Sequence, residues 1–177
     1  MKNIIIQAGG KGTRLDHHTY NKPKCLVEYG GKTLLQRQLE LYSDANIYIV
    51  GDYKLEVLKA YVSTFLSEYN ISIIDGTNNK GTLSGIKKAL EEIKDDEPLA
   101  IVWSDLVFEE RLQHIESDIQ VYTTDSFPCR YLLDDNNNVI KETTEEDGII
   151  GAFTFKNKQV LSNIPDSGSI VGSWLKQ

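Results

Sequence analysis

Short apolar runs alternate with segments of helical periodicity through the N-terminal part of the chain, and this alternation constrains the fold more than any other feature. The runs are NIIIQA, NIYIVG, ISII and LAIVWS, which begin at Asn3, Asn46, Ile71 and Leu99. They are short and apolar without alternation, which is typical of strands buried on both faces. The chain is therefore predicted to be an α/β layer sandwich around a parallel sheet.

The segments that follow the first three runs have apolar residues at helical spacing. They read TLLQRQLELY, KLEVLKAYVSTFLSEY and TLSGIKKALEEI. In the third, Leu83, Ile86 and Leu90 share one face, and Thr82 is placed to cap the first turn. Each of these segments is therefore predicted to be a helix that connects two parallel strands.

The pattern changes after Asp105. IQVYTT and GIIGAFTF predict two further strands, and RYLLDDNNNVIKE predicts a hairpin with its turn at Asp135 to Asn138. We expect these segments to add antiparallel strands, which would make the sheet mixed. The 177 residues have the length of one domain, and no repeat or linker divides residues 1–177.

Composition argues against several classes of protein. Cys25 and Cys129 have no metal-ligand spacing, so we expect free thiols in a cytosolic protein. The opening MKNIII has an apolar run too short for a signal peptide or a membrane span, so we expect cytoplasmic localisation and no membrane partner. A formal net charge of -7 and a pI near 5.0 argue against a nucleic-acid partner.

The charge is nevertheless inverted near the N-terminus. From Met1 to Lys32 the chain has six Lys or Arg residues and two acids, a net charge of +4, whereas the remainder carries -11. Five of these six cations lie in the segment QAGGKGTRLDHHTYNKPKCLVEYGGKTLL, which also contains five glycines. Cations and glycines together predict a site for a small anionic ligand.

Two known phosphate-binding motifs do not fit this segment. A P-loop needs G-x-x-x-x-G-K-[ST]; Gly31 and the next two residues match, but Leu26 stands where the first glycine belongs. A dinucleotide fingerprint needs G-x-G-x-x-G; Gly10 and Gly12 match, but Leu15 stands at the third glycine. The segment must therefore bind its anion in another way.

A strand that leads directly into AGGKGTR offers such a way. Its glycines allow backbone N–H groups to turn toward a ligand, which forms an anion-binding concavity. Lys11 and Arg14 add charge, and the planar guanidinium of arginine suits bidentate contact with phosphate. In KPK, Lys24 supplies a compact point charge at a second place. This arrangement fits a polyphosphate whose α-phosphorus reacts.

At these residues the chain resembles the sugar-phosphate nucleotidyltransferase family, which opens with a pattern close to L-A-G-G-x-G-T-R-L, then K-P-K, then G-K-P-[ML]-[LI]. Here the three elements read QAGGKGTRL, NKPKCLVEY and GGKTLL. The motifs match closely over residues 1–35, and the order of predicted strands and helices resembles that of the family to about residue 155. It implies a Rossmann-like three-layer sandwich with a mixed, mostly parallel sheet, of the nucleotide-diphospho-sugar transferase type.

The resemblance also implies an activity. Such an enzyme transfers NMP from a nucleoside triphosphate to a phosphorylated small-molecule acceptor, a sugar 1-phosphate first of all, and releases pyrophosphate in the synthesis of activated precursors for cell-surface polysaccharides. The residues it implies for nucleotide binding are Ala8, Gly9, Gly10, Lys11, Gly12, Thr13, Arg14, Gly81 and Thr82. Arg14 and Lys24 are implied as catalytic, with Lys24 beside the α-phosphate and the acceptor phosphate.

Magnesium is the expected cofactor, and Asp105 is its candidate ligand. Asp105 follows the fourth apolar run, and open α/β sheets place their ligands at such strand ends. The alternative is that Asp105 caps a helix that begins near Phe108. The family has a second metal carboxylate in a late segment; here Asp166 is the candidate, or that residue lies beyond Gln177 and the chain is the N-terminal part of a longer protein.

The sequence does not identify the base of the nucleotide donor. Gly81 and Thr82 match a pair that closes over the base and ribose in the family, but the same letters fit a polar turn with a capping threonine. Asn78 or Asn79 stands near the position where the family often has Gln or Glu. Trp103 and Trp174 are expected to be packing residues and not platforms on which a base stacks.

Other functions remain open at this level. The donor could be CTP and the acceptor a phosphorylated amino alcohol or amino acid. A non-catalytic regulatory module that binds a nucleotide is a second class, and a glycosyltransferase is a third, although WSDL offers one aspartate where an Asp-x-Asp pair is expected. The oligomeric state is also open, a homo-oligomer included.

Overall fold

A computed structural model describes residues 1–78, 81–114, 116–136, 138–141 and 148–175 of the chain. Within these ranges the strands are β1 (Asn3–Gln7), β2 (Glu28–Tyr29), β3 (Lys32–Thr33), β4 (Asn46–Gly51), β5 (Ile71–Asp75), β6 (Leu99–Trp103), β7 (Ile119–Thr124), β8 (Leu132–Leu133), β9 (Val139–Ile140) and β10 (Gly148–Phe155). The α-helices are α1 (Leu34–Leu41), α2 (Leu55–Phe65) and α3 (Thr82–Glu92). Each predicted helix and long strand is therefore present, with shifts of a few residues at its ends.

The central sheet has the strand order β5-β4-β1-β6-β10-β8-β9, with β7 paired to β10. The four strands β5, β4, β1 and β6 are parallel neighbours, whereas β10 runs antiparallel to β6 and β7. The predicted hairpin is present as the antiparallel pair of β8 and β9, and Asn137 in its turn lies outside the described residues. The sheet is mixed, and the predicted fold class is confirmed.

Both faces of the central strands are covered, which gives three layers. In β1, Ile4 and Ile6 are fully buried in a core formed with α1 and α2. Ile5 is equally buried in a second core, which includes Leu83 and Ile86 of α3. A strand with apolar side chains on both faces stabilises the fold from two sides, and this is why the apolar runs lack alternation.

The start of α3 differs from the prediction. Thr82 was predicted to cap this helix, but Gly81 precedes the first turn, Thr82 is its first residue, and no side chain caps it. Instead, the carbonyl of Gly168 provides an acceptor for the first turn. It accepts hydrogen bonds from the N–H of Leu83 at 3.2 Å and from the Thr82 hydroxyl at 3.4 Å. The C-terminal segment thus satisfies the open end of the helix.

Two expectations from composition concern the thiols and the membrane. Cys25 and Cys129 are both free and buried. Burial raises the pKa of the Cys25 thiol to about 12, so this thiol stays protonated at neutral pH and is a poor nucleophile. Among the described residues, no helix combines the length and the apolar character needed to cross a membrane.

Candidate active site

The carboxyl ends of the four parallel strands meet at one edge of the sheet and open onto a cavity of about 710 Å³, called here the first cavity. Gln7 ends β1, Val50 lies near the end of β4, Gly76 follows β5 and Ser104 follows β6, and all four line this cavity. The N–H of Ser104 donates to the carbonyl of Gln7 at 3.2 Å, which holds neighbouring strand ends together. Open α/β sheets bind ligands at this edge.

The glycine-rich loop after β1 forms one wall of the first cavity. Gly9, Gly10 and Gly12 line it, and the N–H groups of Gly9 and Gly10 have no acceptor in the described part of the chain. Gly12 has a φ of +63°, and a Cβ there would lie 3.0 Å from Thr19 and 3.2 Å from Lys24. Only glycine fits at that position without strain, and the loop presents free donors to the cavity.

Of the other predicted residues of this loop, some line the first cavity and some do not. Thr13 and Arg14 line the first cavity, and Arg14 has no partner among the described residues. Lys11 is exposed and lies outside the lining. Ala8 is buried, and its N–H donates to the carbonyl of Val50 at 2.9 Å, so this N–H is occupied within the sheet.

Lys24 and Asp105 meet in the cavity, although 81 positions separate them in the chain. The Lys24 ammonium group donates a hydrogen bond to the Asp105 carboxylate, and the two side chains are 25% and 33% exposed. No helix begins near Phe108 in the described chain, so the alternative in which Asp105 caps one is wrong. Asp105 instead belongs to the cavity lining, beside the cation that was expected to contact phosphate.

Gln38 of α1 holds the turn that carries Asp105, and the sequence reasoning missed it. Its amide nitrogen donates to the carbonyls of Trp103 at 2.9 Å and Leu106 at 3.0 Å, on both sides of Asp105. The side chain is 1% exposed. A glutamine on the buried face of an otherwise apolar helical pattern is the signal that indicates such a contact, since buried amides need hydrogen-bond partners.

The carboxylates at the first cavity fit a magnesium ion bound together with a phosphate ligand. Asp105 and Asp52 both line the cavity, whereas no group of three or more His, Cys, Asp or Glu side chains in the described residues could form a metal cage. Magnesium usually takes one or two carboxylates and completes its octahedron with water and phosphate oxygens. The donor set therefore matches a metal that arrives with a triphosphate.

Asp166, the candidate for a second metal ligand, lies elsewhere. Its carboxylate accepts a hydrogen bond from the Lys87 ammonium group of α3, and it is absent from the lining of the first cavity. The pair with Lys87 holds the pKa of Asp166 below its usual range. Because this carboxylate is 86% exposed and lies outside the cavity lining, the structure gives no support to a metal-binding role for Asp166.

Gly81 and Thr82 also line the first cavity, as predicted residues from another part of the chain. Gly81 has a φ of +97°, and a Cβ there would lie 2.5 Å from the carbonyl oxygen of Gly168. The backbones of Gly81 and Gly168 approach closely enough to form an isolated parallel β-bridge. Asn78 has a φ of +68°, and Asn79 lies outside the described residues.

A second cavity of about 600 Å³ adjoins the first. Both cavities share Gln7, Arg14, Thr82, Trp103 and Asp105 in their linings. Trp103 was expected to be a packing residue, and its ring does pack over the Cα of Gly151 in β10. It also lines both cavities, a position that its place at the end of an apolar run does not indicate.

Gln7 lies at the same junction and is unusual in its hydrogen bonding. Its amide nitrogen is buried, and it has no partner in the described part of the protein. The corresponding position in the resembled pattern is an apolar residue, so this side chain adds an unsatisfied polar group at the place where the two cavities meet.

A layered α/β fold that places a glycine-rich loop, cations and carboxylates at the ends of its parallel strands defines the class of nucleotide-binding α/β proteins. The comparison with known sequence families makes the class specific. The family model described as the MobA-like NTP transferase domain matches residues 4–126, and the chain belongs to this family.

Individual relatives agree with the family. The chain is 30% identical over 130 residues to glucose-1-phosphate cytidylyltransferase of Salmonella typhimurium, covering 59% of this chain and 50% of that protein. It is 35% identical over 112 residues to CTP:phosphoglutamine cytidylyltransferase of Campylobacter jejuni, covering 60% and 44%. The chain thus spans half or less of the length of these curated relatives.

Solved structures show the same fold. The crystal structure of HddC from Yersinia pseudotuberculosis aligns with a TM-score of 0.78 at 22% identity, covering 100% of this chain and 86% of that one. The family match, which spans residues 4–126, includes every residue in the described lining of the first cavity.

Proposed function

We propose that this chain is a nucleotidyltransferase, which transfers NMP from a nucleoside triphosphate to a phosphorylated small-molecule acceptor and releases pyrophosphate. The observation that carries the proposal is the ion pair of Lys24 and Asp105 inside the first cavity, next to a loop with free N–H donors. Family membership supports the same reaction. A sugar 1-phosphate, used to build activated precursors of cell-surface polysaccharides, is the first acceptor class to test.

The reaction needs positioning and charge neutralisation more than it needs a protein nucleophile. An oxygen of the acceptor phosphate attacks the α-phosphorus, the bond between that phosphorus and the bridging oxygen breaks, and pyrophosphate leaves with the electron pair. The N–H groups of Gly9 and Gly10 and the guanidinium of Arg14 bind phosphate oxygens. Lys24 neutralises the charge that increases around the α-phosphorus in the transition state.

Magnesium completes this assignment. Asp105, with Asp52 on the same cavity, would hold the ion, which would neutralise phosphate charge and orient the triphosphate when bound. Because Lys24 already pairs with Asp105, the lysine keeps its ammonium group at the edge of the metal site before any ligand arrives. Gln38 keeps the aspartate in place through its two contacts with the backbone.

The second cavity provides space for the acceptor. It meets the first at Arg14 and Asp105, so an acceptor phosphate at the junction would face an α-phosphate bound in the first cavity. Two relatives described above are named cytidylyltransferases, which supports CTP as the donor to test first. Their names specify glucose 1-phosphate and phosphoglutamine, so both sugar and non-sugar acceptors belong in the panel.

The decisive experiment measures pyrophosphate release by the purified chain with Mg²⁺, across CTP, UTP, GTP, dTTP and ATP, with sugar phosphates and phosphorylated non-sugar acceptors. We expect release with one donor and acceptor pair and none without metal. Nucleotide binding without release in any combination would instead indicate a non-catalytic binding module. Activity with a nucleotide sugar as donor, and none with a triphosphate, would indicate a glycosyltransferase.

Two variants connect the reaction to the site. Lys24→Ala is expected to abolish turnover while nucleotide affinity and fold are largely kept, because its charge acts on the transition state. Asp105→Asn is expected to suppress the metal-dependent rate. Lys32→Ala is the matched control, since Lys32 belongs to the same basic segment but pairs with Glu40 at 2.7 Å, away from both cavities. Full activity of Asp105→Asn would remove the aspartate from the metal site.

A further inference from the structure

The four arginines of the chain divide into two groups. Arg37 donates to the carbonyls of Tyr29 and Gly30, and Arg111 pairs with a surface aspartate. Arg14 and Arg130 have no partner among the described residues, and both line the second cavity. Two arginines without a partner in the described part of this acidic protein therefore line the same cavity.

The charge of the second cavity is correspondingly positive. Asp105 is the one acidic side chain in its described lining, and that carboxylate is already paired with Lys24. The remaining polar groups are neutral, as at Thr82 and Ser169. A pocket with two free cations and no free carboxylate attracts an anion and binds a cation poorly.

Arg130 is held in place by its neighbours in the chain although its own side chain is exposed. Cys129 is 8% exposed and packs on the Cα of Gly148, and the carbonyl of Tyr131 accepts the N–H of Ile149 at 2.8 Å. Both contacts attach the loop to β10. The backbone at Arg130 is therefore fixed next to a strand of the sheet, so its side chain extends from a defined position beside the second cavity.

Arg130 belongs to the second cavity alone, whereas Arg14 and Asp105 belong to both. The reacting phosphate of the acceptor must lie at the junction, within reach of the triphosphate. Arg130 therefore faces the body of the acceptor and not its reacting phosphate. Phe127, which is 48% exposed, lies in the same lining and offers an apolar surface to that body.

We infer that the acceptor carries a second anionic group, a carboxylate or a second phosphate, and that Arg130 is the residue that selects it. This inference rests on the proposed nucleotidyl transfer and narrows its acceptor class. Arginine binds a carboxylate or a phosphate through two parallel N–H donors, so one side chain provides both affinity and orientation. Neutral hydroxyl groups would leave this guanidinium without a charged partner.

The test uses acceptor pairs that differ in one group. Glucose 1-phosphate is compared with glucuronic acid 1-phosphate and with glucose 1,6-bisphosphate, and O-phosphoethanolamine is compared with O-phosphoserine. We expect the anionic member of at least one pair to have a KM at least about tenfold lower, equivalent to about 1.4 kcal/mol. The member that is preferred distinguishes a carboxylate from a phosphate, and a sugar from an amino acid.

Variants test whether Arg130 causes the preference for the anionic acceptor. Arg130→Gln should remove the difference in KM between the two members of the pair, whereas Arg130→Lys should keep part of it. Arg111→Gln is the matched control, with the same change of charge outside both cavities. The inference would be overturned if the wild-type protein had the same KM for both members of every pair. It would also be overturned if Arg130→Gln kept the preference for the anionic member.

Failure of the proposed reaction would be recognised separately. If no donor and acceptor combination releases pyrophosphate, the same pairs are measured by isothermal titration calorimetry with the wild-type and Arg130→Gln proteins. Tighter binding of an anionic member that depends on Arg130 would support the selection without the reaction. Equal binding of both members would contradict it in the same experiment.

Discussion

At the scale of single residues, the site depends on which charged side chains already have partners within the protein. Lys32 pairs with Glu40 and Arg37 bonds to backbone carbonyls, although both belong to or adjoin the basic N-terminal segment. Arg14 has no such partner and lines both cavities. A cation without a protein partner keeps its full capacity to bind a ligand anion.

Arg14→Ala is therefore expected to weaken binding of the nucleoside triphosphate by about 1.5 to 3 kcal/mol, the range of a charge-assisted hydrogen bond. Isothermal titration calorimetry with Mg²⁺ and the preferred triphosphate measures this change. Arg37→Ala serves as the control, since its guanidinium is bonded to Tyr29 and Gly30 outside the first cavity. Unchanged affinity in Arg14→Ala would exclude Arg14 from the phosphate site.

At the scale of elements, the position of Asp105 depends on α1 as much as on its own strand. The helix begins with a capping box, in which the Gln36 N–H donates to the Thr33 hydroxyl at 3.1 Å and the Thr33 N–H donates to the Gln36 side chain. Gln38, two residues further on, reaches the backbone on both sides of Asp105. Packing of α1 on the sheet thus helps to position Asp105, the proposed metal ligand.

Gln38→Leu is expected to lower the free energy of unfolding by about 1 to 3 kcal/mol, because two carbonyls lose their donor. It should also raise the Mg²⁺ concentration needed for half-maximal turnover, since the turn at Asp105 loses its support. Gln36→Ala is the matched control on the same helix. It should lower stability through the lost cap, by about 1 kcal/mol, without changing the metal dependence. Equal metal dependence of both variants would reduce Gln38 to a structural role.

The contact between α3 and the C-terminal segment gives a second prediction at this scale. Gly81→Ala is expected to destabilise the protein by more than about 2 kcal/mol, because the residue has a positive φ and its Cβ would overlap the backbone of Gly168. Gly31→Ala is the control, with a φ of +77° and open space around the new methyl group, so about 1 to 2 kcal/mol is expected. Chemical denaturation measures both variants, and equal losses would exclude a steric contribution.

At the scale of the whole molecule, the first cavity connects parts of the chain that are far apart in sequence. The glycine loop, the ends of β4 and β5, Gly81 and Asp105 all face it, and the C-terminal Gly168 supports Gly81. Electrostatics acts at the same scale, because Arg14 and Lys24 of the basic segment line this cavity in an otherwise acidic chain. A ligand in the cavity would therefore contact several elements of the fold at once.

Binding of the triphosphate with Mg²⁺ should accordingly raise the melting temperature of the whole domain. At 100 times its Kd, a ligand adds about 2.7 kcal/mol to the free energy of unfolding, and a domain of this size gains about 2 to 4 °C for each kcal/mol. Differential scanning fluorimetry of the wild type and Asp105→Asn checks this. A metal-dependent shift that is equal in both proteins would contradict a role for Asp105 in holding the ion.

The sequence by itself determined the layered α/β fold, the order of its main elements and the candidate residues of the glycine loop. Apolar periodicity and glycine chemistry are local properties, so they can be read from neighbouring residues. Only the tertiary structure decided that Asp105 pairs with Lys24, that Gln38 holds the turn, that Asp166 pairs with Lys87 outside the cavity and that Gly168, in place of a threonine side chain, serves the start of α3. Each of these contacts joins residues more than 60 positions apart, and no local pattern specifies which distant groups the strand order brings together.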